Sequence, residues 1–183
     1  MKIFLPFPAA RLLAIPVVAT LLALGGCASP VTYQAMVPVT LKVSQQHPQS
    51  VSVAALGGSA TDTMGKSQID NAELAKAVTE AINQTKTFSR VVPGKGGDYL
   101  LTVNIVNVVQ PNFGFSFTVG LEMGWTLIRA SDSSKVWQEA IKSEYTASAT
   151  DAFAGITRLR LATEGAARNN VEQGLRKIAE LKL

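Results

Sequence analysis

Residues 99–109, YLLTVNIVNVV, begin a series of three strand-like runs that decides the fold. The second run, Phe115–Ile128, and the third, Lys135–Ala147, alternate apolar side chains with small or polar ones. Alternation with a period of two is typical of strands that bury one face and leave the other in water. The polar turn ASDSS at 130–134 joins the last two runs and is short enough for a hairpin. The three runs therefore predict an antiparallel meander with one wet face.

Two further strands and two helices complete the predicted architecture. The short runs Val51–Leu56 and Phe88–Val92 contain the β-branched and aromatic residues that favour strands. Apolar residues at helical spacing predict one helix from Ile69 to Phe88 and another from Arg158 to the C-terminus. We therefore predict an α+β fold, with a mostly antiparallel sheet of about four to five strands and two long helices packed on one face.

The C-terminal helix carries two kinds of polar residue. The pair Asn169-Asn170 is unusual in mid-helix because asparagine has a low helix propensity, which indicates contact with the sheet or with a partner. Four charged residues are expected on the outer side of the helix, paired with each other or with solvent: Arg158, Arg160, Glu164 and Arg168.

The N-terminus has the organisation of an export signal. Lys2 and Arg11 are basic, no acidic residue occurs among the first 26, and residues 12–24 form an apolar stretch too short to span a bilayer. This stretch ends in Leu24-Gly25-Gly26-Cys27, which contains the only cysteine of the chain. That motif resembles the bacterial lipoprotein signal.

The resemblance implies cleavage between Gly26 and Cys27 and acylation of the new N-terminal cysteine, with palmitate among the acyl chains. The membrane is then a partner through the acyl chains on Cys27, and the chain is anchored without spanning the bilayer. Ala28 follows the cysteine, and a residue other than aspartate there resembles the enterobacterial signal for sorting to the outer membrane. The alternative is an ordinary secretory signal followed by an incidental cysteine.

A flexible tether is expected between the anchor and the folded domain. Residues 28–50 are largely polar or interrupted by proline. Val37–Val43 alternates like a strand, but Pro38 would restrict it to the edge of a sheet. His47, the only histidine, is expected to be solvated in this linker. The predicted plan is a signal peptide (1–26), a lipidated cysteine with its tether (27–50) and a single α+β periplasmic domain (51–183).

Composition excludes nucleic acid as a partner and disulfides as a source of stability. Removal of Lys2 and Arg11 with the signal leaves 15 basic against 13 acidic residues, a formal charge of +2. A nearly neutral surface lacks the basic stripe that nucleic acid requires. With the lone cysteine acylated, packing alone must stabilise the fold.

A nucleotide site is also excluded, although a glycine-rich loop follows the strand at Val51–Leu56. Gly58 and Gly65 enclose six residues, whereas the phosphate-binding loop has four between its glycines. Lys66, which follows Gly65, is therefore expected to be an exposed lysine in a solvated loop.

Candidate catalytic groups are equally scarce. A single histidine in a linker provides neither a general base for a Ser-His-Asp triad nor a metal cluster. Glu122 and Glu144 are expected on a solvated strand face, where two carboxylates do not share a pocket suited to acid–base catalysis. The sequence predicts no catalytic residue, no metal and no cofactor.

The segment Pro111–Phe117 is the main candidate for a binding surface because it places three aromatic residues in a turn-rich connector. Phe115 and Phe117 either begin the next strand and pack inward, or join Phe113 in an exposed patch for a protein partner or the membrane interface. With Lys66, these three residues are the candidate partner contacts.

Five short segments of the chain carry a family resemblance: Val51–Gly58, Lys86–Val92, Asp98–Leu101, Trp137–Glu139 and Ala162–Asn170. They resemble small outer-membrane lipoproteins of Gram-negative bacteria, in particular TolB N-terminal-like and penicillin-binding-protein-activator-like lipoprotein domains. The resemblance implies a domain that binds proteins and performs no chemistry.

We therefore expect a non-enzymatic, lipid-anchored module on the periplasmic face of the outer membrane that binds an envelope protein in envelope assembly or maintenance. Two alternatives stay open. One is an envelope enzyme such as a UDP-N-acetylglucosamine-type acyltransferase, although the hexapeptide repeats of such enzymes are absent. The other is an auxiliary subunit of a transport or secretion system.

Overall fold

The computed structural model describes residues 28–61 and 66–183. The predicted signal peptide, the cleavage and acylation site at Gly26 and Cys27, and Gly65 of the glycine loop lie outside the described residues. The elements in chain order are α1 (Tyr33–Met36), β1 (His47–Leu56), α2 (Asn71–Thr85), β2 (Phe88–Val91), β3 (Tyr99–Val109), β4 (Phe117–Arg129), β5 (Lys135–Ala147) and α3 (Gly155–Ala179). Within these two ranges, every helix is either too short or too polar to span a bilayer.

The five strands form one mixed sheet in the order β2-β1-β3-β4-β5. Strand β1 pairs in parallel with both β2 and β3, while β3 with β4 and β4 with β5 pair antiparallel. The predicted meander and the predicted number of strands are confirmed, but the expectation of a mostly antiparallel sheet is wrong. The reason is the connection through α2, because a helical crossover returns the chain to the same end of the sheet and makes β1 and β2 parallel.

The connection from β2 to β3 crosses directly over β1. The amide of Gly97 donates to the Ser52 hydroxyl at 3.0 Å, and a Cβ on Gly97 would lie 2.6 Å from the Ser52 backbone nitrogen. Only glycine permits backbones to approach so closely. Next to it, Asp98 Oδ2 accepts from the backbone amide and hydroxyl of Ser50 at 2.7 and 2.6 Å. This crossing lets both neighbours of β1 run parallel to it.

Both long helices pack on the same face of the sheet, as predicted, and the core lies between them and the strands. Helix α3 approaches β4 so closely that a Cβ on Gly174 would lie 2.5 Å from the Trp125 ring. The predicted alternation of β4 is confirmed, since its inward side chains are all buried: Leu121, Met123, Trp125 and Leu127.

Asn170 confirms the expected contact between α3 and the sheet. Its side chain is fully buried, and its Oδ1 accepts from Trp125 Nε1 at 2.9 Å. Its Nδ2 donates to the Ile141 carbonyl at 2.8 Å and to the Ser143 hydroxyl at 3.0 Å. One amide therefore links the helix to both β4 and β5.

The N-terminal segment is packed on the domain, so the prediction of a flexible tether is wrong for the described part of residues 27–50. Val31, Met36 and Val37 are buried, and α1 contacts both α2 and α3. The predicted edge strand at 37–43 does not form. Apolar residues in a proline-interrupted segment still become buried when the segment packs on two helices. Burial depends on the residues that are near in space and not on local periodicity.

His47 is the second correction in this segment, because it is buried and not solvated. Its Nε2 lies 2.9 Å from the Ile178 carbonyl, and its ring centroid is 5.4 Å from that of Phe88. The residue begins β1 and connects the first strand to the end of α3. The folded domain therefore starts before residue 51.

The charged residues of α3 also differ from expectation, because the N-terminal segment covers the side that was expected to face solvent. Glu164 is buried, and its Oε1 lies 3.3 Å from the Thr32 amide and 3.6 Å from Arg160 Nη1. Arg168 donates to the Ala35 carbonyl at 3.0 Å. Arg158 is also buried, and its contacts are with the loops that precede β4 and α3.

Candidate functional site

Three phenylalanines stand in solvent at one end of the domain. Phe113 and Phe115 are 88% and 89% exposed, and Phe153, in the loop before α3, is 99% exposed. We call these three residues the aromatic end. Phe117 begins β4 and is buried, as one of the two alternatives for it predicted. For Phe115 the inward alternative is wrong, because β4 starts two residues later.

Arg158 holds the two loops of the aromatic end together. Its Nη1 donates to the carbonyls of Ala152 and Phe153 at 3.0 and 2.8 Å, and its Nη2 donates to the Gly114 carbonyl at 3.2 Å. The guanidinium carbon lies 5.2 Å from the centroid of the Phe117 ring, within cation–π range. A single buried cation therefore fixes Gly114, between the two exposed phenylalanines of one loop, to Phe153 of the other.

Asp151 stabilises the second loop from within. Its Oδ2 accepts from the Ser148 amide at 2.7 Å and from the Ser148 hydroxyl at 2.8 Å. These hydrogen bonds, the backbone one first, hold the pKa of the Asp151 carboxyl below its usual range. The carboxylate is therefore charged at neutral pH and acts as a local cap for the turn that carries Phe153.

Lys66 lies next to the aromatic end, so the structure brings together the predicted contact residues of two distant segments. Its Nζ is 3.5 Å from the Gln110 carbonyl. It also lines a shallow pocket of about 400 Å³ with Pro111, Asn112 and the start of α3. The sequence placed Lys66 in a loop after β1, and only the fold sets it beside Pro111.

Phe153 was missed by the sequence analysis. The available signal was an isolated aromatic residue in the turn-rich stretch 148–154, between a strand and a helix. A lone aromatic in a loop is usually taken for a core residue, because aromatic side chains are mostly buried. Its exposure becomes informative only when the fold places it beside Gly114.

The second candidate surface is the side of the sheet that no helix covers, which we call the open face. Leu56, Val106 and Val109 are each more than half exposed there. Beside them, Gly120 of β4 pairs with Val109 and Gly124 pairs with Asn104. The absence of a side chain at Gly120 contributes to a shallow trough of about 400 Å³ at the end of the sheet near Val109.

Charged residues line one side of this trough. Lys142 Nζ lies 3.8 Å from Glu122 Oε2, and Glu144 is opposite Gly120 on β5. Glu122 and Glu144 are both on the open face, where each carboxylate faces solvent or a lysine. Among residues 28–61 and 66–183, no group of three His, Cys, Asp or Glu side chains is arranged to hold a metal ion.

The sequence matches no family model and no curated protein significantly. Solved structures do share the fold. A Xanthomonas campestris protein of the DUF330 family superposes with a TM-score of 0.57 at 16% identity, covering 83% of this chain and 92% of that one. A candidate lipoprotein of Caulobacter crescentus superposes with a TM-score of 0.50 at 16% identity, covering 70% of this chain and 87% of that one.

These similarities place the fold among proteins of Gram-negative bacteria that include lipoproteins, and they indicate no enzymatic family. At this level of identity the likeness concerns the fold alone. The resemblance to TolB N-terminal-like and penicillin-binding-protein-activator-like domains stays a prediction.

Proposed function

We propose that this protein is a lipid-anchored, non-catalytic module on the periplasmic face of the outer membrane that binds an envelope protein through the open face of its sheet. The lipid anchor is the Cys27 site of the sequence analysis, and envelope assembly or maintenance is the process it would serve. The observation that carries the protein-binding part is the pair of glycines in the middle of β4.

Glycine in the interior of a strand lowers stability by about 0.5–1 kcal/mol relative to alanine. The fold does not require it at either position. A Cβ on Gly120 or Gly124 would meet its nearest neighbours at 3.7 and 3.6 Å, which are ordinary contacts. Neither residue has a positive φ. Glycines that cost stability and relieve no clash indicate a surface that another chain approaches closely.

The surroundings of the glycines support a protein as the occupant. Val106 and Val109 stand beside them with more than half of their surface exposed. The Lys142 and Glu122 side chains lie at the rim. An apolar floor with a polar rim is the usual composition of a protein interface.

Site-specific photocrosslinking in cells tests this proposal. A photoreactive residue at position 142, whose side chain is 79% exposed, should give one discrete adduct with an envelope protein. Gly120→Val fills the trough, and we expect it to abolish that adduct while the melting temperature stays equal or rises, because β-branched residues favour strands.

A photoreactive residue at Lys76, on the exposed side of α2, is the matched control and should not give the same adduct. The proposal is wrong if the adduct from position 142 is equally strong in the Gly120→Val variant. It is also wrong if both positions give the same adduct, because capture would then not depend on the open face.

A further inference from the structure

The aromatic end lies beside the point where the described chain begins. Ser67 Oγ donates to the Ser29 carbonyl at 3.4 Å. Gln110 Nε2 donates to the Ser67 carbonyl at 2.8 Å, and Gln110 directly precedes the segment 111–117. Two hydrogen bonds therefore connect the start of the folded chain to the loop that carries Phe113 and Phe115.

This position fixes where an anchor at Cys27 would enter a membrane. Cys27 is two residues before Ser29, and a chain spans at most about 3.6 Å per residue. An acyl chain on Cys27 therefore reaches the bilayer within about 7 Å of the Ser29 backbone. The end of the domain that carries the exposed phenylalanines is the end nearest the lipid.

We propose that Phe113, Phe115 and Phe153 form a membrane-contact surface that enters the headgroup and acyl boundary of the bilayer beside the acylated Cys27. This inference rests on the proposed lipid anchor. Three observations support it: the exposure of the three rings, their placement on two loops joined by Arg158, and their position at the anchored end.

The exposure of the three rings favours a lipid surface as their occupant. Burial of one phenylalanine side chain is worth about 1.5–3 kcal/mol, so insertion of the three rings into a bilayer would gain free energy that is not gained while they are in water. Interfacial segments use phenylalanine in this way, with the ring below the headgroups. A second contact at the anchored end adds to the binding that the acyl chains provide and sets the orientation of the domain.

The charges at this end are compatible with anionic headgroups. Lys66 is exposed and provides a long side chain with an ammonium at its tip, which suits contact with lipid phosphates. Arg158 is occupied by three carbonyls, and Asp151 is held by Ser148. Within the described residues 66–67, 110–117 and 148–158, the charged side chains are therefore Lys66, Arg158 and Asp151, and Asp151 is already hydrogen-bonded.

Depth measurement with a nitroxide label tests the proposal on the full chain. The chain is expressed so that it is exported, purified in detergent and reconstituted in vesicles of phosphatidylethanolamine and phosphatidylglycerol. Phe113→Cys introduces a labelling site, and Cys27 does not compete for the label when its thiol is acylated.

Val39→Cys is the matched control, because Val39 is also apolar and 88% exposed. It lies beside Glu80 and Gln84, about 13 to 20 Å along α2 from the first residue of that helix, Asn71. We expect the ratio of oxygen to nickel-chelate accessibility to be several-fold higher at position 113 than at position 39. Labels at positions 115 and 153 should behave like the label at 113.

Equal accessibility at 113 and 39 in a chain that floats with the vesicles overturns the membrane contact and leaves the anchor intact. A label at 113 that is shielded from both reagents also overturns it, because it indicates a second copy or another protein over the aromatic end. By contrast, labelling of Cys27 in the unsubstituted chain, together with loss of flotation, contradicts the lipid anchor itself.

Discussion

Asn170 is the residue on which the contact between α3 and the sheet depends most. Its buried amide satisfies the Trp125 indole N–H and the Ile141 carbonyl at once. A buried donor or acceptor without a partner costs about 1–3 kcal/mol. Helix propensity alone disfavours asparagine here, and the tertiary hydrogen bonds offset that local cost.

We expect Asn170→Ala to lower the free energy of unfolding by about 2 kcal/mol or more, because it strands the Trp125 N–H in the core. Asn169→Ala is the adjacent control. Asn169 donates only to the Glu144 carbonyl near the surface, so its loss should cost about 1 kcal/mol or less. Urea denaturation of the three chains measures both, and equal losses would contradict the role given to Asn170.

Asp98 makes part of the stability depend on pH. The Ser50 hydroxyl and then the Ser50 amide lower the pKa of the Asp98 carboxyl below its usual value of 3.8. A carboxyl whose pKa is lower in the folded state contributes stability that is fully present above the unfolded pKa and is lost as pH falls through the folded pKa. We expect Asp98→Asn to lower the melting temperature at pH 6 and the difference from wild type to shrink at pH 3 and below. A difference that stays constant with pH would show that charge at Asp98 is not involved.

At the scale of elements, the short helix α1 is part of the core although it has only four residues. Met36, the last residue of α1, is completely buried where α1 packs on the two long helices. Arg168 and Glu164 of α3 hold the adjacent backbone at Ala35 and Thr32. The segment therefore acts as a third layer over the helices, and it fixes the beginning of the chain to the domain.

We expect Met36→Ala to destabilise the protein by about 2–5 kcal/mol, the usual cost of removing a large buried side chain. Val39→Ala, three residues later and 88% exposed, should change stability by less than about 0.5 kcal/mol. Thermal and chemical denaturation compare the two variants with wild type. A free tether would make both substitutions neutral.

At the scale of the molecule, the fold separates two surfaces with different chemistry. The aromatic end holds three exposed rings next to the start of the folded chain, while the open face presents aliphatic side chains and bare glycines. The trough at Val109 lies near the same end of the sheet, since Val109 is followed by Gln110. A protein bound in the trough would therefore be close to the membrane that we propose for the aromatic end.

Cys27→Ser tests the anchor on which this arrangement depends. Acyl chains contribute about 0.8 kcal/mol per buried CH₂, so their loss should move most of the protein from the membrane fraction to the soluble periplasmic fraction. Residues 28–61 and 66–183 keep all their described contacts, and the melting temperature of the released chain should be unchanged. A variant whose signal peptide has been removed and that still stays in the membrane fraction would contradict acylation of Cys27 as the anchor.

Local patterns allowed much of the fold to be predicted. The alternation in β3, β4 and β5 and the apolar spacing in α2 and α3 report which side of each element is buried, and that is a property of neighbouring residues in the chain. The exposure of Phe113 and Lys66 could also be predicted from the sequence, because turn-rich loops lie at the surface.

The sequence by itself therefore determined the strands of the meander, the two long helices, the motif at Cys27 and the aromatic loop. Only the tertiary structure decided that β1 is flanked by parallel strands, that His47 and Met36 are buried, and that Phe153 and Lys66 join the loop at 111–117. Strand pairing and burial depend on contacts between segments far apart in the chain. Periodicity shows that a helix or strand has an apolar face, but not which distant residues cover that face.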